Sequence, residues 1–428
     1  MEKRWLIPLF FTFLAVVAIG CSNGTAKSKK EAWNYEEAVE MKSGAFTFHA
    51  YVSGDESKCW IYLIDVDKEK GDTSDLELPS EIEGKKVTRI GYAELSEPSE
   101  FRKNIFGIRV ERVHNIDGYD KKLEGITKVT IPDSVTEIQA TCFSGLRYLS
   151  SIKIPDGVHK LKSETFYGCE RLKSVTLPKN LDSFHADALE DCSALKTLKI
   201  SSENEKYEVI DGMLMIKNKH ELIFVVAEKK TVKIPEGVIT IGNRAFINSG
   251  AQNVLISSTV KNIGSQALEN ENIKNIKIAK DNKNFAISGQ CIYAKGDDRL
   301  VVAMPNKKGF LRISNRIRKL DDTYSIAGGD VRIVVLSRNL EEVRGTGLSF
   351  SYNEMLKKVY FTGGIPPKVS DVKDGSCPLP ISANIYVPKN AEDSYKEWYK
   401  DNDCYDHVES WNTYNQIELK KLEEKMNK

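Results

Sequence analysis

The stretch Gly125–Leu195, GITKVTIPDSVTEIQATCFSGLRYLSSIKIPDGVHKLKSETFYGCERLKSVTLPKNLDSFHADALEDCSAL, states one pattern three times. Val129, Ile152 and Val175 are 23 residues apart (152 − 129 and 175 − 152), and the same step relates Ile131, Ile154 and Leu177. Pro132, Pro155 and Pro178 keep it, as do Val135, Val158 and Leu181, then Phe143, Phe166 and Leu189, then Leu146, Cys169 and Cys192. A fixed period of this length predicts a solenoid, because one such unit cannot bury its own apolar side and must stack on copies of itself. Each Ile-x-Ile is read as a short strand lying parallel to its neighbours in adjacent coils. Proline then ends the strand, since it has no N–H to give to the ladder. The following apolar positions turn inward and Phe fills the corner. About seven buried side chains per coil, at ~1.5–3 kcal/mol each, offset the ordering entropy only once coils stack.

Outward from this core the period loosens. A first coil begins at Leu76 (LELPSEIEGKKVTRIG), and Tyr92–Leu123 fits the pattern poorly. Later coils start at Leu198, Val232, Val254, Ile276, Leu311, Val334 and Val359. The steps after Leu198 and Ile276 are long, 34 and 35 residues (232 − 198 and 311 − 276). Each of these coils holds a matching insert. Asn204-Glu-Lys-Tyr207 precedes Asp211-Gly212 and Met213–Val226, and Asn282-Lys-Asn-Phe285 precedes Ser288-Gly289 and Cys291–Met304. Both are read as a turn and a β-hairpin, reversing near Lys217-Asn218 and Gly296-Asp297, on the same edge of the solenoid.

The ends read as caps. Glu31–Ser43 is expected to be a short helix, and Ala45–Val66 a hairpin turning at Ser53-Gly54-Asp55-Glu56. Ala383–Pro388 reads as a final strand. Ala391–Lys400 reads as a helix with Tyr395, Trp398 and Tyr399 on one face, and Trp411–Lys428 as another with Leu419, Leu422 and Met426 on one side. The aromatics are expected to plug the last coil.

Before the caps stands an export signal. Lys3 and Arg4 are its basic end and Trp5–Ala18 its apolar core, shorter than the ~20 residues a membrane span needs. Ala18-Ile19-Gly20-Cys21 resembles a bacterial lipobox, which implies cleavage before Cys21 and a lipid on its thiol. Ala18 stands where that motif usually has Leu. The expected division is 1–20 signal peptide, 21–44 lipidated Cys and tether, 45–75 hairpin cap, 76–388 solenoid, and 389–428 helical cap and tail. No acidic run follows Cys21, so the sequence is compatible with a periplasm-facing or an outward-facing protein of the outer membrane.

The pattern Ile-x-Ile-Pro-x-x-Val-x-x-Ile-x-x-x-x-Phe-x-x-Cys-x-x-Leu resembles the BspA-like leucine-rich repeat family. The coil Ile152–Leu172 carries it at nearly every position, and the coil Val232–Phe246 is similarly close. The Asp211-Gly212 insert and the ending Tyr360-Phe361-Thr-Gly363-Gly-Ile365-Pro366-Pro367 also resemble it. The resemblance implies a β-rich, right-handed leucine-rich repeat superhelix of ~22–23-residue coils with parallel strands, hairpin inserts and terminal caps. It also implies secreted or surface proteins, some of them adhesins, and supplies no catalytic residue.

Composition narrows the function. The 62 Lys and Arg balance 61 Asp and Glu, for a net charge of +1, which argues against nucleic acid as the main partner. The six histidines show no metal-ligand spacing, and HExxH, GxSxG and P-loop motifs are lacking, so neither metal, cofactor nor enzyme is expected. His185 and Asp187 lie two apart without a recognisable nucleophile. Cys169 and Cys192 occupy equivalent places in adjacent coils and are expected to fill corners rather than to pair, whereas Cys377 and Cys404 could form a bridge in the C-terminal cap.

Residues flanking the first apolar position of each strand should point outward. From the coil at Val129 to that at Val359 these twenty positions include seven Lys or Arg and no Asp or Glu. The candidate binding face is therefore Lys128, Lys153, Lys199, Lys233, Lys277 and Arg312, turning apolar at Phe310, Ile333, Val335 and Tyr360. Such a face suits a protein or an acidic glycan; the simpler reading is ordinary solvated strand residues that discourage edge pairing. The expected function is a lipid-anchored, non-catalytic binding scaffold of the envelope, attached to the membrane through Cys21. The alternative is an assembly module whose hairpins dock other envelope proteins.

Overall fold

The computed structural model describes residues 33–54, 57–91, 125–321, 323–345, 347, 355–371, 383–402 and 411–427. Cys21, Tyr92–Leu123, Cys377 and Cys404 lie outside the described residues.

The repeat builds two columns of short parallel strands. Lys128–Thr130, Ser151–Lys153, Ser174–Thr176 and Thr197–Lys199 stack in the first. Ile152 faces Val175 and Val175 faces Leu198, so residues one period apart are direct neighbours. The central residue of each strand is buried while its flanks lean outward. The turn after the strand closes on the proline carbonyl, which accepts from Val135, Val158 and Leu181 N–H at 3.0, 3.0 and 3.3 Å. Proline thus ends the strand and supplies the acceptor that starts the turn. Lys160–Leu161 and Ser183–Phe184 then form the second column.

The corner is filled as the sequence implies. Phe143 and Phe166 stack at 5.3 Å and 14°. The Cys169 thiol donates to the Phe143 carbonyl and the Cys192 thiol to the Phe166 carbonyl, both at 3.3 Å. Cys59, Cys142, Cys169, Cys192 and Cys291 are all free and buried. Burial pushes the thiols of Cys169 and Cys291 up to about 12, so they are inert packing groups, Cys169 in a corner and Cys291 elsewhere in the core.

The two long coils carry more than a hairpin. Tyr207–Ile210, Met213–Ile216 and Glu221–Val225 form an antiparallel meander, and Phe285–Ser288, Cys291–Ala294 and Arg299–Ala303 form its counterpart. Asp211 and Gly212 have φ of 49° and 72°, the pair of positive values that a two-residue hairpin turn with the right twist demands. Asn204 and Asn282 make the entry. The Asn204 amide donates to the carbonyls of Lys179 and Leu181 in the coil before, and its oxygen accepts from Lys206 and Tyr207 N–H. Asn282 repeats this with Ser257, Val260, Asn284 and Phe285. The last strand of each meander joins the second column, Leu222 facing Ile241 and Arg299 facing Lys319. The inserts therefore pack back onto the solenoid's flank. They also divide the first column into sheets of five, three and five strands.

The Ala45–Val66 hairpin and the helix after Ala391 form as expected, and each cap also departs from expectation in one segment. Trp33–Ser43 is a strand, not a helix, and pairs antiparallel with Phe46–Ser53, which pairs with Lys58–Val66. Val39 and Met41 alternate toward the core opposite Ala50 and Phe48, and this period of two decides in favour of a strand. The cap thus begins inside the segment expected to be tether. At the other end, Asn384–Pro388 is followed by one more parallel strand, Trp411–Tyr414, which was expected to be helical. Helix α1 (Glu392–Asp401) plugs the last coil: Tyr395 stands 5.0 Å from Phe361, its hydroxyl donates to the Gly363 carbonyl at 3.2 Å, and Trp398 donates to the Pro367 carbonyl at 2.7 Å. Helix α2 spans Gln416–Asn427.

Candidate functional site

Outward residues of the first column form one long face, and its two ends differ. Lys153, Thr176 and Lys199 lie side by side in register, as do Lys233, Leu255 and Lys277. With ~4.8 Å between strands, each pair of lysines is separated by about 9.6 Å. All four lysines are exposed, and among the described residues none of them forms an ion pair. Lys128 is also exposed, but its ammonium lies 2.5 Å from Asp75, which neutralises it. Asp75 and Glu77 occupy the two outward positions of the first coil. Leu76 aligns with Val129, so both acids belong to the same face as the seven bases further along, and that alignment is the sequence signal for them.

Three residues assigned to this face are not on its open part. Phe310 is fully buried, Tyr360 is 7% exposed, and Arg312 is half-buried. Their strands, Phe310–Arg312, Ile333–Val335 and Lys358–Tyr360, stack as expected, but α2 lies across them. Leu419, Leu422 and Met426 cover Phe310, Val335 and Tyr360. Tyr360 stacks on Tyr386 at 4.3 Å and meets the edge of Tyr414 at 5.5 Å. Burial pushes its phenol up to about 12. The Arg312 guanidinium pairs with Glu423 of α2 at 3.1 Å and donates to the Leu336 carbonyl at 2.7 Å. Its burial opposes the charge and Glu423 supports it, the balance leaving the group below its ordinary value. Further polar ties hold the helix end: Asn306 donates to the Met426 carbonyl and Lys308 to the Lys425 carbonyl. The apolar side of α2 was legible as Leu419, Leu422 and Met426, whereas its target was not.

The His185 and Asp187 pair is a turn brace. Asp187, 2% exposed, lies 2.5 Å from His185 Nδ1 and accepts from Ser163 Oγ at 3.0 Å and from Glu164 N–H at 3.2 Å. The Ser163 hydroxyl donates to the same carboxylate that holds the imidazole, which ties the turn of one coil to that of the next. Among the described residues no group of three His, Cys, Asp or Glu could hold a metal ion, and no helix is long and apolar enough to cross a membrane.

Residues 119–211 and 221–295 match the family described as BspA type leucine rich repeat region, in six copies. No curated protein matches the chain. Solved structures similar to it include a leucine rich cell surface protein of Faecalibacterium prausnitzii A2-165, 16% identical, covering 90% of this chain and 98% of that one with a TM-score of 0.34. A leucine-rich repeat protein of Eubacterium ventriosum ATCC 27560 is 14% identical and covers 83% and 94%, with a TM-score of 0.38. One from Bacteroides ovatus ATCC 8483 is 13% identical and covers 88% and 99%, with a TM-score of 0.30.

Proposed function

The chain is a leucine-rich repeat protein of the BspA type, and from that premise we propose that it is a non-catalytic binding scaffold, held in the bacterial envelope by a lipid on Cys21. The observation that carries this reading is the open sheet face with Lys153, Lys199, Lys233 and Lys277 exposed and unpaired. Unpaired cations on a rigid sheet are ready to meet anions without first breaking internal bridges. The partner is a protein or a glycan with acidic groups spaced to match.

The assembly-module alternative rests on the inserts, and their geometry weakens it. Met213, Leu214, Met215 and Ile216 are all buried in the protein's own core. The experiment uses the chain without its first thirty residues, on immobilised heparin as an acidic-glycan probe and on immobilised acidic proteins. Binding should be lost when Lys153, Lys199, Lys233 and Lys277 are all changed to Ser. Binding that survives this change at equal salt sensitivity would refute the role of the face. Labelling with a radioactive fatty acid should mark the full chain and not Cys21→Ser.

A further inference from the structure

A second concave surface lies off the sheet face, where three consecutive C-terminal coils leave their strands. In regular coils this turn reads Pro132-Asp133, Pro155-Asp156, Pro178-Lys179 or Pro235-Glu236. In the C-terminal coils the same two positions read Ser314-Asn315, Ser337-Arg338 and Thr362-Gly363. The proline is gone and no acid holds the second position, while Arg316, Arg338 and Ile365 stand in or beside these turns. The altered turns enclose a cleft of about 760 Å³.

The floor is held rigidly. Asn315 accepts from the Arg338 N–H at 3.0 Å, and the Asn339 amide donates to the Asn315 carbonyl at 2.8 Å. Two of the cations lining the cleft are already engaged. Arg316 pairs with Asp298 at 2.9 Å and lies over the Tyr293 ring, while Arg318 pairs with Glu341. Arg338 and Lys368 are exposed and, among the described residues, have no ion-pair partner. At the lip Ile365 is 82% exposed, the most exposed large apolar side chain among the described residues, with Pro366 beside it. Two unmatched cations next to an apolar knob ask for a ligand that is acidic and apolar at once. Among the described residues no aromatic ring lines the cleft, so none of them offers a sugar a stacking surface there.

We propose that this cleft binds a short acidic peptide segment of a protein partner. Arg338 and Lys368 take its carboxylates and Ile365 packs against an apolar side chain between them. The fixed floor lets Arg338 reach its ligand from a backbone already anchored by Asn315, which lowers the ordering cost of binding. This site is separate from the lysine face and does not depend on it.

The test is fluorescence anisotropy with a fluorescein-labelled Glu-Glu-Ile repeat peptide and the chain lacking its first thirty residues. Saturable binding is expected at physiological ionic strength. The double variant Arg338→Glu/Lys368→Glu should weaken it by at least about tenfold, and Ile365→Ser by about threefold. Both variants should melt with the wild type, since all three side chains are exposed. The variant with four face lysines changed to Ser should bind the peptide as the wild type does, which separates failure here from failure of the face. The proposal is overturned if the peptide does not bind, or if the double variant binds it equally. It is also overturned if an oligogalacturonate, rather than the peptide, is what the cleft retains.

Discussion

The coils around Lys153–Lys277 and those around Phe310–Tyr360 share one strand pattern, yet outward positions that hold exposed Ser151, Lys153 and Lys233 in the first region hold buried Phe310, Val335 and Tyr360 in the second. Ser151 and Thr231 are exposed where Phe310, at the equivalent place, is completely buried. What differs is the cover. Helix α2 lays Leu419, Leu422 and Met426 over the C-terminal end, whereas the four lysines of the other region stand open. The repeat therefore determines where a side chain points and not what it meets. In a solenoid, a binding surface is whatever part of the column the caps leave bare.

The largest expected effect breaks that contrast directly. Phe310→Ala should cost about 3–5 kcal/mol in denaturant melts, while Thr231→Ala at the equivalent position should stay within about 0.5 kcal/mol. Equal costs at the two sites would show that cover does not separate the regions. Next, Leu419→Asp should cost about 2–3 kcal/mol, because it places a charge where a buried leucine was. Amide exchange should then quicken in Phe310–Arg312 and Ile333–Val335 and stay unchanged in Ser151–Lys153, since stability in a repeat array is local.

Alkali should strain both regions. The buried thiols of Cys169 and Cys291 keep their protons to about 12 in the fold, against an ordinary value of 9.0. The folded state then holds more protons than the unfolded chain at high pH. Its stability is full below pH ~9 and falls by about 1.4 kcal/mol per pH unit for each thiol up to pH ~12. Melting across this range should show the slope, and Cys169→Ala should reduce it; a flat profile would mean that the thiols are solvated. The smallest effect belongs to the open face. Lys128→Ala should leave the denaturant midpoint almost unchanged, because its bridge to Asp75 is exposed.

How much of this was legible follows from the same contrast. The 23-residue step, the proline stops and the Asn204 and Asn282 inserts fixed the stacking, because each is a local pattern repeated in register. The Glu31–Ser43 expectation failed because a short segment with Val39 and Met41 suits a period of two as well as a helix. The cover over Phe310, Arg312 and Tyr360 depends on a contact more than a hundred residues away in sequence, from Phe310 to Leu419. An amphipathic stripe announces that a helix will be buried, but not against what. The Arg338 and Lys368 cleft was hidden for a related reason: it is made where the coils stop obeying the repeat.

The most direct test of the central claim is hydroxyl-radical footprinting of the folded chain, read at Phe310 and Tyr360, before and after deletion of Gln416–Asn427. Both rings should be protected in the intact chain; once α2 is gone, Phe310 should react at the rate of an exposed side chain, while Tyr360 keeps the part of its cover that Tyr386 and Tyr414 supply. A Phe310 ring that reacts freely in the intact chain, or that stays protected without the helix, would contradict the covering role of α2.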